Sequence, residues 1–170
     1  MLRKFRALLL SRSGMALFAG TFENKVDGKG RVSVPAPFRA ELEGPAGGAI
    51  YLYPSLTCAA IEGCTVEWME DVRNNLKALP AFSPQRQGLM RAIFGRARLI
   101  RLDDDGRLVL PRDFAGFAGI ETQATFVGMA DTFQMWNPDR AAQAEEEAVK
   151  ELMKGVLDLP PPFGGSGGGS

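Results

Sequence analysis

The chain has 170 residues, of which 45% are hydrophobic and 24% charged, so it can bury one core or two small ones. Its 20 Lys and Arg balance its 20 Asp and Glu, which excludes the global positive charge of many nucleic-acid-binding proteins. It contains no histidine, the commonest general base and zinc ligand, and its two cysteines cannot form a disulfide scaffold, which favours a reducing cytosol.

Residues 1–14 precede the first strand-like stretch and are basic and irregular. We expect either that Met15 is the true start or that these residues form a flexible basic arm that joins DNA binding or a membrane surface. Their apolar run, Leu8–Leu10, is far shorter than a membrane-spanning helix, so no membrane span is predicted, and the predicted partners include no membrane.

Residues 15–80 are predicted to form a first module of strands and short helices. A strand ended by proline is followed by a short helix that packs Phe38 and Leu42 inward. A longer helix begins at the cap residue Thr65 and ends before Pro80. The predicted strands are Thr21–Val26, Arg31–Val34, Ala49–Tyr53 and Ala59–Glu62.

Residues 81–96 are predicted to form a connecting helix that begins at Ser83-Pro84, and residues 97–154 a second module. The second module has a short turn at Phe114 and a C-terminal helix that opens at Asn137-Pro138. Its predicted strands are Leu99–Leu102, Leu108–Leu110, Thr125–Met129 and Thr132–Trp136. The side chains predicted to face inward on the last helix are Ala141, Ala144, Ala148 and Leu152. Residues 155–170, rich in Pro, Gly and Ser, are predicted to be a flexible tail.

One sequence pattern occurs twice at a constant offset. VDGKGRVSVPAPF at Val26–Phe38 returns as LDDDGRLVLPRDF at Leu102–Phe114. The positions that recur unchanged are Asp27 and Asp103, Gly30 and Gly106, and Arg31 and Arg107. The repeat predicts two copies of one module and an α+β fold that is mainly β with short helices.

Each copy is predicted to form a hairpin around a structural turn. Asp at the first position and Gly at the fourth are typical of a type I turn, and a left-handed Gly30 extends it to a three-residue loop with a bulge. This register sets Asp27 opposite Arg31, Val26 opposite Val32, and Lys25 opposite Ser33. In the second copy it places Leu102, Leu108 and Leu110 inside, and Arg101, Asp103 and Arg107 outside.

Two readings of the Asp–Arg pairs are open from the residues alone. The pairs are either ordinary surface ion pairs, or each Asp orients an Arg whose planar fork meets phosphate oxygens or a guanine edge. On the second reading the candidate DNA-binding residues are Lys25, Lys29, Arg31, Arg101 and Arg107. Asp104 and Asp105 replace Gly28 and Lys29 in the second copy, so the first copy is expected to contribute more to binding.

Other sites are weaker candidates. The Asp103–Asp105 triplet resembles a metal cluster, but nothing nearby supplies a nucleophile, so no metal and no cofactor are predicted. Cys58 and Cys64 lack a second ligand pair and are expected to be buried thiols. The basic run from Arg86 to Arg101 is either a solvated helix face or a contact patch. The rival functions are a protein-interaction module for an acidic partner and an enzyme that uses the triplet.

The two motif copies, together with the segments AIYLYPS and ATFVGMADTFQMW, resemble the MraZ family over about Met15–Met153. The resemblance implies a bacterial transcriptional regulator built of two tandem SpoVT/AbrB-type domains, whose swapped hairpins pack as a pseudo-dimer. It also implies ring-like homo-oligomers that bind direct repeats of promoter DNA upstream of the division and cell-wall gene cluster, usually as a repressor. A cytoplasmic, nucleoid-associated protein without enzymatic activity follows from this resemblance. The family's DNA-contacting arginines fall on Arg31 and Arg107, and its motif lysine on Lys29.

Overall fold

A computed structural model describes residues 16–43 and 47–155 of the chain. The predictions for residues 1–14, and for the tail from residue 156 onward, lie outside the described residues. The chain divides into two compact units, one ending at Pro138 and one beginning at Asp139. The described ranges hold eight strands and five short helices, so the α+β class with mainly antiparallel strands is confirmed.

The helices and strands are those that the sequence predicts, with ends that differ by a few residues. The turn predicted around Phe114 is a full short helix. The strands are β1 (Thr21–Lys25), β2 (Arg31–Ser33), β3 (Ala49–Pro54), β4 (Ile61–Cys64), β5 (Arg98–Arg101), β6 (Arg107–Val109), β7 (Gln123–Gly128) and β8 (Phe133–Trp136). The helices are α1 (Ala36–Leu42), α2 (Val66–Leu76), α3 (Pro84–Ala92), α4 (Arg112–Ala118) and α5 (Pro138–Met153).

Two helices begin at side-chain caps. The hydroxyl of Thr65 accepts a hydrogen bond from the backbone N–H of Trp68 at 3.1 Å, and that of Ser83 accepts from Arg86 at 3.2 Å. Each cap satisfies a backbone N–H that has no partner within the helix. Pro84, the first residue of α3, has no backbone N–H that would need a partner. The starts of α2 and α3 are therefore determined locally, which is why the sequence predicts them well.

The strands form a six-stranded antiparallel sheet in the order β1-β7-β8-β4-β3-β5 and a separate two-stranded ribbon of β2 and β6. The strand before each turn pairs with a strand of the other sequence half: β1 with β7, and β5 with β3. The strands after the two turns pair with each other. Each copy of the motif therefore lies where the chain passes from the six-stranded sheet to the ribbon.

This pairing corrects the predicted hairpin register. Val26 lies opposite Val32 as predicted, and the N–H of Asp27 donates to the carbonyl of Arg31 at 2.9 Å. The predicted pair of Lys25 with Ser33 is wrong, because Lys25 lies opposite Gln123 and Ser33 lies opposite Arg107. The two strands part beyond the turn because β1 forms a five-residue ladder with β7, whereas the apolar residues of β2 pack against those of β6.

The core lies beneath the ribbon and centres on Phe38 of α1. The ring of Phe38 is fully buried and lies 5.3–6.4 Å, between centroids, from the rings of Phe18, Phe22, Phe126 and Phe133. The inward-facing residues of the ribbon and its flanks belong to the same cluster: Val32, Val34, Leu108 and Leu110. The predicted burial of Phe38 and Leu42 is confirmed.

The C-terminal helix α5 differs from its prediction. No residue of α5 is buried; Ala141 and Ala144 are partly exposed, and Ala148 and Leu152 are exposed. The predicted inward packing is therefore not found at Ala148 and Leu152. Of the helices in the described ranges, none has the length and apolar character to cross a membrane.

Candidate functional site

The β2–β6 ribbon brings the two motif arginines onto one surface. Arg31 lies opposite Val109, and Arg107 lies opposite Ser33. Since side chains alternate along a strand, these four residues share the outer face, while Val32 and Leu108, each 1% exposed, share the inner one. The arginines are diagonal neighbours, a relation that separates residues by about 7–8 Å on such a ribbon. We name this surface, formed by Arg31, Ser33, Arg107 and Val109, the ribbon face.

The first turn is organised by the carboxylate of Asp27. Its Oδ1 accepts hydrogen bonds from the backbone N–H groups of Lys29 and Arg31, each at 2.9 Å, and its Oδ2 accepts from Nε of Arg31 at 2.6 Å. Gly30 supplies a left-handed φ of +78°, which a residue with a Cβ adopts only at a cost. One carboxylate therefore fixes both the turn and the direction of the Arg31 side chain.

The second turn repeats this geometry. Oδ1 of Asp103 accepts from the N–H groups of Asp105 and Arg107 at 3.0 and 2.9 Å, and Oδ2 accepts from Nε of Arg107 at 2.9 Å. Gly106 has a φ of +73°. The ribbon links the turns reciprocally, since Leu110 N–H donates to the carbonyl of Gly30 at 2.9 Å and Val34 N–H donates to that of Gly106 at 3.0 Å.

These hydrogen bonds keep both carboxylates ionised. The backbone N–H of Arg31 is the largest cause of the lowered pKa of Asp27, and partial desolvation opposes it. The backbone N–H of Arg107 likewise lowers the pKa of Asp103. Each arginine is therefore held by a charged, hydrogen-bonded partner at neutral pH.

The two arginines differ in what else they contact. Nη2 of Arg107 forms a second ion pair with Oδ2 of Asp105 at 3.0 Å. The hydrogen bond that Arg107 donates to Asp103 is the main cause of the raised pKa of Arg107, and the charge of Asp105 adds to it. Within the described ranges, Asp27 is the only acid that pairs with Arg31.

The remaining predicted site residues surround the turns. Lys29 is exposed within the first turn, beside Arg31. Lys25 and Arg101 occupy matching positions at the last residues of β1 and β5, exposed, and belong to the six-stranded sheet rather than to the ribbon. The ribbon thus brings Arg31 and Arg107 together directly, with Lys29 in the first turn, and leaves the other two cations at the bases of the turns.

The structure adds residues that the motif reading misses. Ser33 and Val109, the latter 54% exposed, complete the ribbon face, and the period-two alternation after each arginine is the signal that identifies them. Arg39 of α1 packs against Gly106 and donates from Nη1 to the carbonyl of Val34 at 3.1 Å. Its counterpart in the second copy is Ala115, so the unequal pair is visible in the sequence.

The basic run is largely engaged within the chain. Arg98 forms two hydrogen bonds of 2.8 Å with the carboxylate of Asp113, which lowers the pKa of Asp113, and its guanidinium lies 4.7 Å from the ring centre of Phe114. Arg96 lies 5.5 Å from the ring centre of Phe117. These contacts join β5 and its approach to α4, and both arginine residues remain exposed.

The acidic triplet and the cysteines take other roles. In the part of the chain that the structure describes, no group of three or more His, Cys, Asp or Glu side chains is placed to hold a metal ion. Asp103 and Asp105 both face Arg107 instead. Cys64 is buried, and burial raises its pKa to about 12, whereas Cys58 is only partly buried.

Comparisons with known proteins agree with the repeated motif. The family described as "MraZ protein, putative antitoxin-like" matches residues 17–47 and 93–155. The chain is 38% identical over 145 residues to "Transcriptional regulator MraZ" of Rickettsia canadensis (strain McKiel), covering 85% of this chain and 97% of that protein. It is 39% identical over 144 residues to the protein of the same name from Rickettsia bellii (strain OSU 85-389), covering 82% and 96%. For that of Beijerinckia indica subsp. indica the identity is 34% over 149 residues, covering 86% and 91%.

These relatives are named as transcriptional regulators, and their family is not enzymatic, which removes the enzyme from the alternatives. The two matched segments contain both copies of the motif completely, and the alignments with the relatives cover most of the chain. On the family match and on these identities, the chain belongs to the MraZ family.

Proposed function

We propose that this chain is a DNA-binding transcription regulator that contacts DNA with the ribbon face. The observation that carries the proposal is the convergence of Arg31 and Arg107, each oriented by its own carboxylate, on one exposed surface. The names of the relatives support regulation of transcription. A cytoplasmic site of action on the nucleoid follows from this proposal.

The shape of the surface suits the major groove of B-DNA, which admits a two-stranded β-ribbon. The buried pair of Val32 and Leu108 holds the inner face of the ribbon against the core, so the backbone that carries the outer side chains has a fixed position. An arginine held at Nε by a carboxylate keeps its terminal nitrogens for O6 and N7 of a guanine or for phosphate oxygens. Val109, exposed beside Arg31, offers an apolar contact for a thymine methyl group.

The cations around the turns would bind the DNA backbone. Lys29 extends the charge of the first turn, and Lys25 and Arg101 stand at the bases of the two turns, where phosphates flank an inserted ribbon. The first turn carries Lys29 where the second carries Asp105, so we assign the larger share of the binding to the first copy.

We further propose that the fold consists of two tandem AbrB-type modules, over residues 15–80 and 97–154, joined by the helix of residues 81–96. The exchange of strands between the halves supports swapped hairpins, since β1 and β5 each pair with a strand of the other half. The reciprocal hydrogen bonds of Gly30 and Gly106 support an approximate two-fold relation, as in a pseudo-dimer.

A ring-like homo-oligomer on direct repeats upstream of the division and cell-wall gene cluster, acting as a repressor, completes the proposal. One ribbon face offers few cations, and several phosphate contacts are needed for tight binding at physiological salt. Several copies on repeated boxes supply them through effective concentration. Exposed apolar side chains of α5 are available for contacts between copies: Val149, Leu152 and Met153.

The test is DNA binding by wild type, Arg31→Ala and the control Arg73→Ala, which removes the same charge from an exposed position on α2. We expect Arg31→Ala to weaken binding to a duplex of the promoter region by roughly 10-fold or more, and Arg73→Ala to leave it nearly unchanged. Mass measurement shows whether the assembly stays intact.

If Arg31→Ala binds as tightly as wild type with its assembly intact, the ribbon face is not the DNA-binding surface. A salt titration addresses the alternative of an acidic protein partner. A DNA-binding ribbon loses affinity steeply with salt, whereas an interaction module of that kind would not retain the duplex at physiological salt.

A further inference from the structure

The second turn contains an ion pair that the first turn lacks. Asp105 Oδ2 lies 3.0 Å from Nη2 of Arg107, while Asp103 already accepts from Nε of the same guanidinium. Two nitrogens of Arg107, Nε and Nη2, therefore face acids. In the first turn the position equivalent to Asp105 is Lys29, and among described residues only Asp27 pairs with Arg31.

The position of Asp105 is suited to control, because its side chain has no part in forming the turn. The backbone N–H of Asp105 makes the turn hydrogen bond to Asp103, and this bond does not depend on the side chain. The carboxylate itself is 74% exposed, so it can leave Arg107 or be removed by substitution while the turn keeps its shape. Asp104, its neighbour in the same turn, is exposed and carries the same charge, but forms no ion pair within the described ranges.

We propose that Asp105 is a specificity-determining residue that withholds Arg107 from DNA and so makes the ribbon face asymmetric. This inference rests on the proposed function. The withheld nitrogen is one of the two that a guanine or phosphate would need for a bidentate contact. A DNA oxygen that approached it would also meet the charge of Asp105.

The consequence is a direction of binding. A ribbon with two equal arginines related by an approximate two-fold axis would bind a DNA box equally well in either orientation. Because Asp105 pairs with Arg107, only the half of the DNA box that contacts Arg31 is bound strongly. The arrangement therefore fits a non-palindromic box, and the second half of the ribbon serves mainly to support the first.

The experiment is a double-mutant cycle on binding to a labelled duplex of the promoter region. The variants are Asp105→Asn, Asp104→Asn, Arg107→Ala and the double variant Asp105→Asn/Arg107→Ala. Asp104→Asn is the matched control, since it removes one negative charge from the same turn. Asp105→Ser repeats the loss of charge with a different side chain, and thermal unfolding checks that each variant is folded.

We expect Asp105→Asn to bind roughly five- to tenfold more tightly than wild type, with a salt dependence steeper by about one phosphate contact. Asp104→Asn should gain about twofold or less, since it changes only the general repulsion of phosphate. In the Arg107→Ala background, Asp105→Asn should gain no more than Asp104→Asn does in the wild type.

Equal gains for Asp104→Asn and Asp105→Asn would overturn the inference, as would a gain from Asp105→Asn that persists without Arg107. In either case loss of binding by Arg31→Ala would leave the proposed function standing. Failure of the wild type to bind the promoter duplex would instead overturn the proposed function, and the inference with it.

Discussion

Replacement of Phe38 by alanine tests whether α1 anchors the ribbon through the aromatic cluster. The side chain is fully buried, and edge-to-face contacts join it to Phe18 and Phe22 at centroid distances of 5.3 and 5.4 Å. Truncation of a buried phenylalanine costs about 3–5 kcal/mol. We expect a loss near the upper end, because each lost aromatic pair adds about 0.5–1.5 kcal/mol to the loss of buried area.

The matched control is Phe82→Ala, which removes the same atoms from a side chain that is 94% exposed. Its expected effect is within about 0.5 kcal/mol of zero. Urea unfolding followed by circular dichroism gives both free energies, and thermal unfolding should show a fall in Tm of roughly 10–20 °C for Phe38→Ala alone. If the two variants lose the same stability, the cluster does not hold the core together and the described packing of α1 is wrong.

Two further predictions concern the sheet and the turns. A methyl group at Gly63 of β4 would overlap the ring of Phe133, which is itself fully buried, so Gly63→Ala should lower the free energy of unfolding in urea by about 1–3 kcal/mol. Gly88→Ala is the control on the exposed side of α3, where nothing lies within 4 Å of the added methyl group, and it should raise that free energy by about 0.5–1 kcal/mol. A change of the same sign in both variants would contradict the prediction. Asp103 has a pKa lowered from 3.8, so its stabilisation is full above that value and is lost as pH falls through the lowered pKa of the folded state. The Tm of the wild type should therefore be higher than that of Asp103→Asn at pH 7, and the difference in Tm should shrink below about pH 3.8. A difference in Tm that stays constant with pH would show that the ionised carboxylate of Asp103 does not stabilise the turn.

The features that the sequence predicts well are those decided by neighbours in the chain. The turn around Asp27 forms through contacts no more than four residues apart, so its residue pattern is sufficient to predict it. The caps at Thr65 and Ser83 are local in the same sense. The predicted pair of Lys25 with Ser33 fails because the choice of partner strand is not local. Apolar alternation in β2 is satisfied equally by β1 and by β6, and only the fold as a whole decides between them.

The basic run shows the same limit for charges. The run from Arg86 to Arg101 contains no acid, and this pattern leaves open both a solvated helix face and a contact patch. In the structure Asp113 and two phenylalanines of α4 contact Arg96 and Arg98, and the two residues of the ion pair are fifteen positions apart in the chain. The sequence alone does not distinguish an arginine that pairs with residues of a distant helix or strand from an arginine that binds a ligand. The Asp-x-x-Gly-Arg arginines escape this ambiguity because their orienting carboxylates lie four residues away.

The two turns can carry different charges because both belong to one polypeptide. In a ribbon formed by two identical chains, every substitution occurs on both strands, so a charge that disables one arginine disables the other. A tandem chain allows Lys29 in one turn while Asp104 and Asp105 occupy the other. The reciprocal bonds of Gly30 and Gly106 are related by the approximate two-fold axis, so the two turns share one backbone geometry while the charges of their side chains differ. A symmetric scaffold with an asymmetric charge can distinguish the two directions along DNA, which a symmetric dimer of one such module cannot do.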